Sequence, residues 1–247
     1  MPSSVKGEDG RRKVWARYLR RLLFPAASIR MKKRETEGSD MRKIDLDNWD
    51  RREIYAFFSP LAQPWYSVGF RLDVGGLYRH VKTKGLPFYY AMCYLVTQAV
   101  NETEAFLYTL RGSEVFLLDR REPSFTVRRA GEKYFRIVTM PCRGSLTEFC
   151  REAAERERAQ DAFIVPESES DALVYLSCLP WVDLTALTNE RGDDRDDAIP
   201  RIAWGKFVEE GGRLTLGMSV EVNHRFVDGA DIGAFAKRLE EKIAELS

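Results

Sequence analysis

The stretch Met218-Ser-Val-Glu-Val-Asn-His-Arg-Phe-Val-Asp-Gly-Ala-Asp-Ile-Gly233 changes its periodicity halfway along, and the fold is read from that change. Met218, Val220 and Val222 alternate with Ser219, Glu221 and Asn223, the period of two that buries one face of a strand. Beyond it Ile232, Phe235, Ala236, Leu239 and Ile243 recur at three and four positions, the spacing of a helix face. His224 stands where the strand ends, and three residues separate it from Asp228-Gly229. Glycine adopts backbone angles closed to other residues, so Gly229 is the expected bend. A strand that delivers an imidazole, with a carboxylate four positions on, has the parts of a general-base site. The chain holds only two histidines, His80 and His224, and only the second lies in such a turn.

Upstream, residues 202–208 and 213–221 pair naturally as a hairpin across Glu209-Glu-Gly-Gly212. Residues 172–179 read as a buried strand carrying Ser177 and ended by Pro180-Trp181. Ser145-Leu-Thr-Glu148 has the spacing of a capping box and opens a helix to about residue 160. Strands are expected over 114–119, 124–128 and 134–140, and a helix with an apolar face over 88–102. A short helix over 74–84 closes on Gly85, and 66–73 alternates like a strand. Asn48-Trp-Asp-Arg-Arg-Glu53 leads into a helix carrying Ile54, Tyr55, Phe57 and Phe58, broken by Pro60 and Pro64. Arg191-Gly-Asp-Asp-Arg-Asp-Asp197 lacks the spaced ligands and closing Glu of a calcium loop and reads as a solvated turn; no metal site is expected. Strands first alternate with helices and then cluster, so the class is α/β: a mixed sheet with helices packed on it.

The chain of 247 residues carries a net charge of +1, so no global bias draws it to nucleic acid or an anionic surface. Thirteen Lys/Arg against five Asp/Glu give residues 1–43 a net +8, leaving −7 for the rest. That basic segment is expected to be a disordered extension or an artefact of an upstream start codon, and 44–247 the folded domain. Cys93, Cys142, Cys150 and Cys178 form no CxxC pair, which favours a reduced, cytoplasmic protein. No apolar run approaches the ~20 residues of a membrane span.

From about Ile44 onward the chain resembles chloramphenicol acetyltransferase. Asn48-Trp-Asp-Arg-Arg-Glu53 is similar to that family's opening helix, Gln98-Ala-Val-Asn101 to part of its long helix, and Pro123-Ser-Phe-Thr-Val127 to a central strand. Ser177-Cys-Leu-Pro-Trp181 resembles its SxxPW segment, and Val222-Asn-His-Arg-Phe-Val-Asp-Gly229 its HHxxxDG block. The resemblance implies a two-layer α/β subunit that assembles as a homotrimer with active sites between subunits. His224 would be the general base for direct acetyl transfer from acetyl-CoA to a hydroxyl of a small-molecule acceptor, with antibiotic resistance as the biological outcome. Ser177 would hold the tetrahedral oxyanion. Asp228 would pair with an arginine of the opening helix, Arg51 or in its place Arg52, and Lys206 would face the CoA phosphates. Phe57, Phe58, Tyr66, Leu187 and Asn189 would line the acceptor pocket.

Some positions depart from the family. Asn223 replaces the first histidine of the pair, and Ala203 stands where a threonine is usual. Leu187, Asn189 and Arg191 make the acceptor region polar, and an unpaired arginine does not suit an apolar nitrophenyl ring. Asn223-His-Arg-Phe-Val-Asp-Gly-Ala230 also resembles the DHRxxDGA block of dihydrolipoyl acyltransferase cores, whose acceptor is a thiol. A catalytically silent trimer that binds a small molecule is the third reading.

Overall fold

The computed structural model describes residues 41–192 and 194–246, so most of the basic N-terminal segment lies outside the described residues. The expected hairpin is the spine of the molecule. Strands β8 (Arg201–Glu210) and β9 (Arg213–Asn223) pair antiparallel, and the turn between them holds Gly211 and Gly212 at φ of 58° and 77°. Only glycine takes two such angles in succession without a Cβ penalty. β2 (Trp65–Asp73) pairs antiparallel with the outer edge of β9 along its full length, from Trp65↔Asn223 to Asp73↔Thr215. On the other side β7 (Leu173–Leu179) runs parallel to both β8 and β5 (Glu122–Val127), and β6 (Arg136–Thr139) closes the sheet antiparallel. The order β2–β9–β8–β7–β5–β6 is the mixed sheet that the clustering of strands and helices suggested.

One face of this sheet is apolar and covered. Leu216, Met218, Val220 and Val222 of β9 meet α3 (Phe88–Asn101) and α5 (Gly229–Ala244), whose Met92, Val96, Phe235 and Leu239 are fully or almost fully buried. Each such side chain contributes about 1.5–3 kcal/mol on leaving water, and this is what holds helix to sheet. The remaining helices are α1 (Arg52–Phe58), α2 (Gly75–Lys84) and α4 (Leu146–Ala159). α2 ends on Gly85 at φ 66°, and α4 starts with the capping box read from Ser145 and Glu148.

The opposite face is crossed by the segment after β7. At Gly217 an added Cβ would lie 1.6 Å from the Leu184 carbonyl oxygen, and at Gly69 2.2 Å from that of Thr185. The crossing segment therefore rests on bare backbone over β2 and β9. It also rests on β8, where a Cβ added at Gly205 would lie 2.6 Å from the Val182 carbonyl oxygen.

Three sequence expectations need correction. β1 (Arg42–Lys43) pairs with β4 (Glu114–Leu117), which pairs with β3 (Tyr108–Arg111), so a second, three-stranded sheet exists and the folded part reaches back before Ile44. The strand at Tyr108 was not expected because four residues carry too little alternation to read. Gly229 is an ordinary first residue of α5; the chain turns earlier, at residues 224–226, and the extended Asp228 is the N-cap. The buried Arg121 joins these parts. Its guanidinium donates to the carbonyl oxygens of Tyr108 (2.8 Å), Asp171 (2.8 Å), Leu173 (3.0 Å), Ala198 (3.3 Å) and Phe106, and burial pushes its pKa down to about 10.

Candidate active site

The expected site residues fall into two groups. The first forms around the end of β9, where the strand breaks into a tight turn after Asn223. The backbone N–H of Phe226 and of Val227 both donate to the Asn223 carbonyl oxygen, at 3.0 and 3.1 Å. Asn223 is buried, and its Oδ1 accepts from the backbone N–H and the Nε of Arg225, each at 3.1 Å. Asn223 braces the turn that presents His224.

The His224 imidazole is sandwiched between Phe58 of α1, with ring centroids 4.0 Å apart, and Tyr66 of β2, 4.2 Å apart. Its backbone N–H donates to the Pro64 carbonyl oxygen at 2.7 Å. Nδ1 is buried without a hydrogen-bond partner, which leaves Nε2 as the nitrogen for a substrate to meet. Phe57 packs edge-on against Phe58 and is 73% exposed, so it adds an apolar rim beside the histidine.

Asp228 and Arg51 meet as the resemblance implied, and Arg52 does not take that place. Arg51 Nη1 lies 3.2 Å from Asp228 Oδ2, and its Nε donates to the Arg225 carbonyl oxygen at 3.1 Å. Asp228 Oδ1 accepts from the backbone N–H of Ala230 (2.9 Å) and Asp231 (3.3 Å), capping α5. Burial alone would raise the Asp228 pKa. The Asp231 and Ala230 N–H groups and the Arg51 charge outweigh it and hold the carboxyl below its ordinary value. Asp231, unread in the sequence, accepts from the Asp228 N–H at 2.8 Å and lies 3.4 Å from Arg51. Burial and the neighbouring Asp228 charge raise its pKa. Burial, then the two aspartates, push Tyr66 up to about 12. A D-x-x-D capping pattern was the available signal for Asp231.

The second group lines a cavity of about 1520 Å³ bordered by residues of β5, β7 and β8. Ser177, Leu187, Asn189 and Lys206 all border it, whereas His224, Phe57, Phe58, Tyr66 and Asp228 do not. Ser177 pairs in register with Ala203, and Ala203 with Ser219. Asn223 lies four residues beyond Ser219, so on strand geometry the start of the turn that carries His224 is roughly 13 Å further along and about 10 Å across. A single chain keeps its imidazole and its serine apart. Lys206 sits at an irregularity between Trp204 and Phe207, with its side chain exposed on the cavity rim.

Of residues 191–197, read as a solvated turn, Gly192, Asp194 and Arg195 are exposed, but the ends are tied down and Arg191 is not unpaired. Arg191 Nε donates to Glu221 Oε1 (2.6 Å), its Nη1 to Asp197 Oδ2 (2.8 Å), and its guanidinium lies 4.7 Å from the centre of the Trp65 ring. Asn189 is held by Glu221 as well, through its backbone N–H (2.7 Å) and Nδ2 (2.9 Å) to Oε2. Burial works against the Glu221 charge, but the donors from Arg191 and Asn189 prevail and keep its pKa low. The partner that anchors Arg191 is thirty residues away in sequence, which is why neither could be paired by reading.

Known proteins are similar to this chain in sequence and in fold. The family model for chloramphenicol acetyltransferase matches residues 39–240. The Staphylococcus aureus chloramphenicol acetyltransferase is 29% identical over 207 residues, 82% of this chain and 95% of that protein. Chloramphenicol acetyltransferase 2 of Escherichia coli is 30% identical over 202 residues, 80% of this chain and 94% of that protein. A solved chloramphenicol acetyltransferase shares the fold with a TM-score of 0.72, at 24% identity over 81% of this chain and 98% of its own. A probable dihydrolipoamide acetyltransferase from Listeria monocytogenes shares it more loosely, with a TM-score of 0.57, at 15% identity over 79% of this chain and 90% of its own. The family model spans most of the chain, and these relatives match it over nearly their whole length: this chain is an acyltransferase of the chloramphenicol acetyltransferase family.

Proposed function

We propose that the protein is an acetyl-CoA-dependent O-acetyltransferase that works as a homotrimer, with each site formed where His224 of one subunit meets the Ser177 cavity of the next. The observation that carries this reading is the division of the site: two chemically complementary halves on one chain, each with an open side, that do not reach each other. A closed ring of heterologous contacts joins such halves without either moving.

His224 Nε2 takes the proton of an acceptor hydroxyl, on chloramphenicol or a related alcohol, as that oxygen attacks the thioester carbonyl of acetyl-CoA. The ring's own proton must then sit on Nδ1. The tetrahedral oxyanion accepts a hydrogen bond from the Ser177 hydroxyl. Its collapse breaks the C–S bond, and the leaving thiolate recovers the proton from His224. Base catalysis of this kind is worth about 10²–10⁴ in rate, and a preorganised oxyanion donor about 10²–10³. Asp228 and Arg51 transfer no proton and fix the turn. Lys206 offers its charge to the CoA phosphates, and Phe57, Phe58 and Tyr66 present an apolar wall beside the base. No candidate metal cluster occurs among the described residues, and each step above is carried by a side chain already named. Among the described residues no helix is long and apolar enough to cross a membrane, and the four thiols are unpaired, in keeping with a cytoplasmic enzyme.

The test is release of free CoA from acetyl-CoA, followed by chromatography, with purified protein across alcohols, amines and dihydrolipoamide. Release with an alcohol, abolished in His224→Ala while CoA binding persists, is the expected outcome. Release with dihydrolipoamide alone would instead place the chain with the dihydrolipoyl acyltransferases, and silence throughout would leave a binding protein. An undiminished rate in His224→Ala would remove the imidazole from the chemistry.

A further inference from the structure

The strand register draws a polar line along one face of the sheet, and its middle members, Ser124, Tyr175 and Arg201, border the cavity. Thr139 pairs with Ser124, Ser124 with Tyr175, Tyr175 with Arg201, Arg201 with Glu221 and Glu221 with Ser67. Residues paired across strands project to the same face, so all six strands contribute one polar side chain to one row, with no aliphatic side chain among them. The neighbouring row holds Ser177 and Ala203, two residues along β7 and β8, or about 7 Å away.

Most of this row is satisfied internally. Thr139 donates to Ser124 (2.9 Å), Tyr175 to Glu169 Oε2 (2.9 Å), and Arg201 Nη2 to Asp197 Oδ2 (2.9 Å). The charges of Arg191 and Arg201 are matched by those of Glu221 and Asp197. Two atoms at the cavity are left over. Arg201 Nη1 is a buried donor with no acceptor, and Glu169 Oε1 a buried acceptor with no donor, and both residues line the cavity that Ser177 lines. An apolar ring laid against them would strand both. A carboxylate would satisfy only the first, into surroundings whose charges are already balanced, and an ammonium only the second. Hydroxyl groups both accept and donate. Burial raises the Glu169 pKa against the hydrogen bond from Tyr175, which suits a carboxyl exchanging hydrogen bonds with a neutral partner.

We propose that the acyl acceptor is a neutral, hydroxyl-rich molecule of the sugar or cyclitol class, one hydroxyl accepting from Arg201 Nη1 and another donating to Glu169 Oε1. The inference rests on the acetyltransferase reading above and narrows its acceptor. Arg201 and Glu169 are specificity residues here and take no part in proton transfer. Sites built to hydrogen-bond a hydroxyl reject the analogue that lacks it by up to about 10⁴–10⁵-fold.

Binding separates this inference from the chemistry. In the His224→Ala protein with CoA present, calorimetric titration with glucose, myo-inositol and trehalose is compared with titration with chloramphenicol. The expected result is that at least one polyol binds more tightly than chloramphenicol. Arg201→Lys keeps a cation for Asp197 but loses the guanidinium fork, and Glu169→Gln keeps the shape. Each should weaken polyol binding about ten-fold or more and chloramphenicol less than two-fold, with the thermal midpoint and CoA affinity unchanged. Chloramphenicol binding more tightly than all three polyols, or polyol affinity indifferent to both substitutions, overturns the inference. A polyol that binds as expected, yet elicits no thiol release from the unmutated enzyme, counts against the acetyltransferase reading and leaves the recognition of hydroxyls standing.

Discussion

Asp228 divides its work between its two oxygens, one capping α5 and the other held by Arg51. Loss of an N-cap carboxylate costs about 0.5–2 kcal/mol, so Asp228→Ala should lower stability at pH 7 by that order. The pH dependence follows from the depressed pKa. Stability drawn from the Asp228 charge is fully present above its unfolded value and disappears as pH falls through the folded one. Urea denaturation of both proteins at pH 7 and again below pH 3 should therefore show the gap between them closing. A gap of equal size at both pH values would mean that the charge contributes nothing. At this scale the sequence was legible where a residue's chemistry is local. His224, Ser177, Arg51 and Asp228 could each be named from a motif in order. Arg201, Glu169 and the Arg191–Glu221 pair could not, because their meaning comes from parallel pairings that join residues 124, 175 and 201, and no local pattern carries that register.

Among the elements, the hairpin, α2, α3 and α4 could be read because each carries its own period and its own terminus signal, such as Gly85 at φ 66° or the Ser145 capping box. The small sheet of β1, β4 and β3 carries neither, and its attachment to the main sheet depends on the Arg121 side chain. Arg121 holds five carbonyl oxygens from the ends of separate elements. Each buried acceptor left without a donor costs about 1–3 kcal/mol, so Arg121→Leu should destabilise the fold by about 3 kcal/mol or more. The midpoint of denaturant unfolding measures this, and a shift worth less than about 1 kcal/mol would show that water replaces the guanidinium.

For the whole molecule, the proposed assembly makes an arithmetic prediction. His224→Ala and Ser177→Ala proteins, each nearly inactive alone, are unfolded together and refolded as a mixture. If the base and the oxyanion donor come from different subunits, about one interface in four receives both intact residues, and about a quarter of wild-type activity returns. If both came from one chain, mixing would restore nothing. The glycines under the crossing segment bear on the same assembly from an unexpected side. Gly217 and Gly69 set how deeply residues 184–190 sink into the sheet, and Leu187 and Asn189 reach the cavity from that segment. A methyl group at either glycine would shim the pocket wall outward from behind, so selection for a new acceptor can act at two positions that never touch it.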